Sequence, residues 1–270
     1  MVTPARLAFL GSAPACASLS LWGIAQGTPG WALVAAVSYG ALGTAGVFLP
    51  GLQMHGQIWC RGPRGRGELA LTFDDGPHPL TTRQVLSALA ATRHRATFFV
   101  LGDKARRHPE VLREIRQAGH GLALHGDTHD RLHAFRSAAR VCRELQRAQD
   151  AVQAAAGVRP LLFRPPIGHT SPQTLRGARQ AGVTVVGWSG RGYDGLRGRS
   201  PQRVLTTIRA SLQEGAILLL HDAAERDNFV PSSLPVLPEI FAEMDRLKLT
   251  SVPLEAWVAA DASTARVAHL

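Results

Sequence analysis

From Glu68 onward the sequence repeats one alternation, a short apolar run followed by a longer amphipathic stretch. Residues 96–101 read Ala-Thr-Phe-Phe-Val-Leu and residues 216–220 read Ala-Ile-Leu-Leu-Leu. Runs this short, with no polar alternation, suit strands buried on both faces of a parallel sheet covered by helices. The pattern predicts strands over 68–73, 96–101, 121–124, 161–163, 183–188 and 216–220, with a last short one over 250–252. Helices are expected over 81–92, 109–118, 137–156, 172–181, 201–212 and 234–247, with Ser137 as an N-cap and Gly157 past the end of the longest. Repeats of this kind over about 200 residues point to an α/β chain whose sheet closes, or nearly closes, into a barrel.

In such a barrel, chemistry sits at the rim where strands end. The chemically capable residues fall there. The first strand runs into Asp74-Asp75-Gly76-Pro77, and the third into His125 and His129. The fourth runs into Arg164, the fifth into Trp188 and then Asp194, and the sixth into His221 and Asp222. An isolated Asp-Asp-Gly reads most simply as a turn. Recurrence of Asp, His and Arg at successive strand ends does not. Two adjacent carboxylates cannot both stay charged and dry without a cation or a shared proton. His125 and His129 are four apart, which on a helical turn puts both imidazoles on one side. With Asp75 they make a two-histidine, one-carboxylate set suited to Zn²⁺, Fe²⁺, Co²⁺, Ni²⁺ or Mn²⁺. Water activated at such an ion needs a base, for which Asp74 is adjacent, and a leaving group needs an acid, for which His221 is available. Arg164 can hold a carboxylate in its charged form. His78, His120, His133 and His169 read as surface or supporting residues, and Asp127 and Asp130 as loop caps.

The N-terminal part is different. No Asp, Glu, Lys or Arg occurs between Arg6 and Arg61, and the runs 7–25 and 31–50 are each near the ~20 residues that span a bilayer. They predict a membrane-anchoring two-helix hairpin within residues 1–53. A Gly-, Pro- and Arg-rich linker over 54–67, the barrel over 68–258 and a tail over 259–270 follow. Arg6 flanks one side and Arg61, Arg64 and Arg66 the other, so the positive-inside rule puts both flanks of a hairpin, and the barrel, on the cytoplasmic side of a bacterial-type inner membrane; if 7–25 is instead a cleaved signal core or lies at the interface, the barrel changes side. Of 30 basic side chains only Arg6 precedes Arg61, so about +9 of the formal charge of +10 belongs to the barrel part, where it favours anionic headgroups or phosphate-bearing substrates or makes a solvated basic surface. No basic helix motif or aromatic stacking platform suggests nucleic acid as a partner. Cys16, Cys60 and Cys142 are too few and too scattered for a disulfide framework.

Taken together, Thr72-Phe-Asp-Asp-Gly-Pro77, the His125/His129 pair, Arg164-Pro165-Pro166-Ile167-Gly168, the Trp188 to Asp194 stretch and Leu219-Leu220-His221 resemble the polysaccharide deacetylase (chitooligosaccharide deacetylase homology) family. The resemblance covers residues 68 to about 255. It implies a distorted (β/α)7 barrel and metal-dependent hydrolysis of an N-acyl group from an amino sugar; an anchored enzyme with a basic domain suits an envelope or lipid-linked glycan. By position it implies Asp74 as base, His221 as acid, and Asp75, His125 and His129 as ligands to one divalent ion, Zn²⁺ first. It further implies Arg164 with Asp194 tuning the base, and Pro165, Pro166 and Trp188 at the substrate. The chain departs from the family pattern at Gly126, Ile167 and Gly195, where Ser or Thr, an aromatic and Trp are usual. A deformylase or small-amide hydrolase on the same barrel, and a catalytically silent membrane glycan-binding protein, are the rival readings.

Overall fold

Alternation along each strand decides how the barrel is filled. In the computed structural model, which describes residues 3–258, Leu69, Leu71 and Phe73 of β1 (Glu68–Asp74) join the large core under the helices. Ala70 belongs instead to a smaller cluster inside the barrel, with Phe99, Ala123, Leu162, Ile217 and Trp257. Side chains two residues apart share a face. Ala70 is therefore followed on the inner face by Thr72 and Asp74, and Ala123 by His125. Leu162 is followed by Arg164, and Ile217 by Leu219 and His221. The inner column starts on an apolar plug, where Trp257 donates to Glu68 at 2.8 Å, and ends on polar groups at the rim. Polarity thus changes along the barrel axis, while each strand still reads as apolar.

The other strands are β2 (Ala96–Val100), β3 (Gly121–Leu124), β4 (Leu162–Phe163), β5 (Thr184–Val185), β6 (Gly190–Arg191), β7 (Ile217–His221) and β8 (Thr250–Ser251). Hydrogen bonding joins them in the order β5-β4-β3-β2-β1-β7-β6, all parallel, with β8 beside the start of β1. Asp74 sits in register between Phe99 and His221. The seven strands on this path form the expected distorted (β/α)7 barrel, but its count is made differently. Of the strand expected over 183–188 only β5 forms, β6 follows beyond it without having been expected, and the strand at 250–251 lies off the path.

Helices α3 (Thr81–Ala90), α4 (Gly102–Arg107), α5 (Pro109–Gln117), α6 (Ala138–Ala156), α7 (Pro172–Gln180), α8 (Pro201–Arg209) and α9 (Leu237–Arg246) cover the outside. The side chains of Ser137, Ser171 and Ser200 accept the first backbone N–H groups of α6, α7 and α8, which starts those helices where the serines stand. The sequence pattern gave no sign of α4, a single short turn of charged residues.

Two helices precede the barrel, α1 (Pro4–Ala25) and α2 (Gly30–Phe48), and both are long and apolar enough to cross a membrane. They pack as a hairpin, with Phe9 stacked on Tyr39 at 4.9 Å. The C-terminal end of α2 docks on the barrel: Thr170 N donates to Val47 O at 3.1 Å, and the Phe48 ring meets His169 edge-on at 4.6 Å.

Residues 54–67, expected as a linker, are part of the barrel instead. Met54 and Ile58 are buried. Trp59 N donates to Val185 O, and Gly187 N donates to Trp59 O, both at 3.0 Å, so this stretch fills the gap between β5 and β6. The backbone of β5 has partners to satisfy there, and residue 59 supplies them. The expected tail over 259–270 lies outside the described residues.

Candidate active site

Asp74 is the last residue of β1 and is 2 % exposed. Arg164, fully buried at the end of β4, gives Nη1 to Asp74 Oδ1 at 2.7 Å and to the Thr72 hydroxyl at 2.8 Å. Its Nη2 donates to Gly187 O at 2.8 Å, and its guanidinium lies 4.1 Å from the centre of the Phe99 ring. Burial raises the Asp74 carboxyl above its ordinary 3.8, and the Arg164 charge pulls the other way. The net rise leaves a carboxylate that accepts a proton more readily than one in water.

Asp75 follows with φ of 73°, a left-handed conformation that turns its side chain away from that of Asp74. The turn leaves no room at Gly76, where a Cβ would stand 2.1 Å from Asp222 Oδ2. Asp75 Oδ1 is 3.4 Å from His125 Nε2 and 3.4 Å from His129 Nε2. The histidine pair is not on a helical turn, as its spacing suggested. Residues 125–132 form an irregular loop with Gly126 and His129 at φ of 95° and 53°, and the two rings converge through that loop to 5.1 Å.

These atoms suit a metal ion. One donor atom from each of Asp75, His125 and His129 lies within 4.8 Å of the others. Asp75 Oδ1 is buried and has no hydrogen-bond partner among the described residues, a costly state unless something else satisfies it. His125 Nδ1 is 2.9 Å from Arg164 O, which can only accept, so Nδ1 carries the proton and Nε2 keeps a lone pair. Burial, then the neighbouring His129 and Arg164 charges, hold His125 well below the ordinary imidazole value, hence neutral as a ligand must be.

Across the cavity, His221 ends β7. Asp194 Oδ1 is 2.9 Å from its Nδ1, and Asp194 Oδ2 accepts its backbone N–H at 2.8 Å. Burial opposes charging this imidazole, but Asp194, by charge and hydrogen bond, joined by the charges of Asp75 and Asp74, outweighs it and raises the group to about 9. Asp194 therefore serves His221. The expected partnership of Asp194 with Arg164 at the base is not formed; Arg164 holds Asp74, and Asp194 holds His221. Asp222 faces elsewhere, accepting from Thr82, and takes no part in the cavity lining.

The cavity has a volume of about 420 Å³ and holds Asp74, Asp75, His125, His129, His221 and Trp188 in its wall. Pro165 and Pro166, expected at the substrate, are buried and do not line it. They shape a short turn that presents Ile167 and Gly168 instead. Gly168, at φ of 81°, is required there because a Cβ would meet the Trp188 ring at 2.2 Å. Sequence reading also passed over Glu225, whose Oε1 lies 3.4 Å from His129 Nδ1, and the aromatic Tyr193. Nothing in their local patterns distinguishes them. Asp127 and Asp130 are engaged by Arg106 and Arg136, away from the cavity wall.

Comparison with known proteins fits this geometry. The family model for polysaccharide deacetylase matches residues 61–186. A chitooligosaccharide deacetylase of Sinorhizobium fredii is 34 % identical over 189 residues, which cover 69 % of this chain and 86 % of that protein. A peptidoglycan-N-acetylglucosamine deacetylase of Bacillus cereus is 30 % identical over 197 residues, covering 70 % and 89 %. Among solved structures, a family 4 carbohydrate esterase from Streptomyces lividans in complex with acetate superposes with a TM-score of 0.62 at 31 % identity, covering 69 % of this chain and 92 % of that one.

Proposed function

Because this chain belongs to the polysaccharide deacetylase family, we propose that it is a metal-dependent hydrolase that removes the N-acetyl group of an amino sugar in a membrane-associated glycan. One observation carries the reading: three convergent metal-donor atoms share a cavity wall with an arginine-held carboxylate and a carboxylate-held histidine. Asp75, His125 and His129 would hold one divalent cation, Zn²⁺ first among Co²⁺, Ni²⁺, Fe²⁺ and Mn²⁺, which when bound supplies Lewis acidity toward water and the acyl carbonyl. Asp74, fixed through Oδ1 by Arg164, accepts the proton of the attacking water. His221, kept charged and oriented through Nδ1 by Asp194, protonates the departing amine. Trp188 and Ile167 wall the space for the sugar and hold bulk water out of it. Residues 1–53 anchor the barrel in the membrane, and the arginine flanks keep it on the cytoplasmic side.

The test is metal content together with acetate release, on the full chain in detergent, as wild type and as Asp75→Asn. Bound divalent metal and acetate from N-acetylglucosamine oligomers, both lost in the variant, are expected. Metal without acetate, but with formate from an N-formyl sugar, moves the acyl group. No metal after reconstitution defeats the proposal.

A further inference from the structure

A second cavity, of about 370 Å³, adjoins the first and shares Trp188, Arg191 and Tyr193 with it. Its other walls include Phe48, Leu49 and Leu52, at the C-terminal end of the hairpin. These three side chains are 45 %, 54 % and 37 % exposed, a strip of uncovered apolar surface leading from the catalytic cavity to the helix that would enter the bilayer. The two ends of the groove therefore differ in chemistry: an amide hydrolase site at one, hydrocarbon at the other.

Arg191 stands between them. Its guanidinium lies 4.2 Å from the centre of the Tyr193 ring and 5.4 Å from that of Trp188, held by the two aromatic faces. Its Nε is buried and has no hydrogen-bond partner, and it forms no ion pair among the described residues. The other arginines of the catalytic cavity are committed. Arg131 and Arg226 face Glu225, and Arg197 donates to Asn228 O at 2.9 Å. An arginine that is positioned, partly desolvated and without an anion suits an anion on a ligand.

Resting on the deacetylase reading of the same site, we propose that the substrate is a lipid-linked amino sugar whose phosphate diester sits at Arg191. Its N-acyl sugar occupies the catalytic cavity and its hydrocarbon chain follows Phe48, Leu49 and Leu52 toward the membrane. A phosphate diester puts one anion between a sugar and a hydrocarbon chain, which matches a single free arginine. A carboxylate on the sugar itself explains Arg191 but leaves the apolar strip without a role. A polymeric glycan explains neither. A barrel held on the cytoplasmic face of the membrane, where lipid-linked precursors rather than finished wall polymers are within reach, agrees with this order of groups.

The experiment compares four substrates on the full-length, zinc-loaded protein in nanodiscs. They are N-acetylglucosamine joined to decyl phosphate, decyl N-acetylglucosaminide, N-acetylglucosamine 1-phosphate, and the N-acetylglucosamine tetramer. The phosphodecyl sugar is expected to lead in kcat/KM. Removing either the phosphate or the chain should cost roughly 10- to 100-fold, the scale of a charge-assisted hydrogen bond or of a few buried methylenes. Arg191→Gln should collapse the preference for the phosphodecyl sugar over the decyl glycoside. Leu49→Asp should collapse its preference over the sugar phosphate. Ratios within one preparation do not depend on how much of a variant folds. All four rates within threefold of one another, or preferences unchanged by the two substitutions, overturn the proposal. So does a sugar phosphate turned over as well as its decyl ester. Turnover of the tetramer in preference to the phosphodecyl sugar overturns this inference and leaves the deacetylase reading standing; acetate from none of the four overturns both.

Discussion

Asp194→Asn should move the alkaline limb of the pH–rate profile. Asp194 gives His221 two things: a charge 2.9 Å from Nδ1 and an acceptor for the backbone N–H at 2.8 Å. Asparagine is neutral and has one oxygen, so it keeps at most one of these two bonds. What remains is burial, which opposes charging the imidazole, and the smaller opposing pull of the Asp75 and Asp74 charges. The sign follows from the role. An acid works only while protonated, so activity falls as pH rises through the pKa of His221. In the wild type that pKa is raised to about 9; without the Asp194 charge and hydrogen bond it falls from there toward the ordinary imidazole value, the Asp75 and Asp74 charges still pulling against burial. At pH 7.5 a pKa of about 9 leaves about 97 % of the imidazole protonated, and one of about 6.5 leaves about 9 %. The expected loss in kcat/KM is therefore up to about tenfold at pH 7.5, shrinking toward none near pH 5.5. Both proteins carry the same Asp74, so their ratio at each pH removes the acid limb from the comparison. The assay is acetate release from an N-acetylglucosamine oligomer between pH 5 and 10. A variant whose loss is the same at every pH would refute the argument, because a misplaced His221 costs rate without shifting the limb.

Arg164→Leu removes the cation hydrogen-bonded to a carboxylate that is 2 % exposed, and should cost about 3–5 kcal/mol in chemical denaturation. An unpartnered buried carboxyl holds its proton above the unfolded value of 3.8, so the folded variant binds more protons; its deficit should be smallest at low pH and grow as pH rises through the folded pKa. Gly168→Ala forces a Cβ to within 2.2 Å of the Trp188 ring at a φ of 81°, and is expected to cost about 1–2 kcal/mol and to raise KM more than it lowers kcat. A chain begun at residue 68 loses the buried Met54 and Ile58, worth about 1.5–3 kcal/mol each, and the Trp59 pairing that fills the gap beside β5. It should melt well below a chain begun at residue 53, and equal melting temperatures would contradict the place of 54–67 in the barrel.

Much of this site was legible because the barrel converts a one-dimensional pattern into a radial one. Each strand reads as apolar while its last inward position is not, so Asp74, His125, Arg164 and His221 stand out against their own strands. What stayed hidden depends on partners distant in sequence. Asp194 lies 27 residues from His221, and only the pairing of β6 with β7 brings that stretch alongside; sequence order alone offered Arg164 as readily. Residues 54–67 have the composition of a linker, and it takes the unfilled edge of β5 to give Ile58 and Trp59 a place. Arg191 is one of many arginines in a strongly basic chain, and nothing in its neighbours marks it. Its difference from Arg131 and Arg197 lies in what they touch: those two meet a carboxylate and a carbonyl, while Arg191 meets two aromatic faces and no anion. Among the described arginines that line the catalytic cavity, the informative one is the one the fold has positioned and left without an anion.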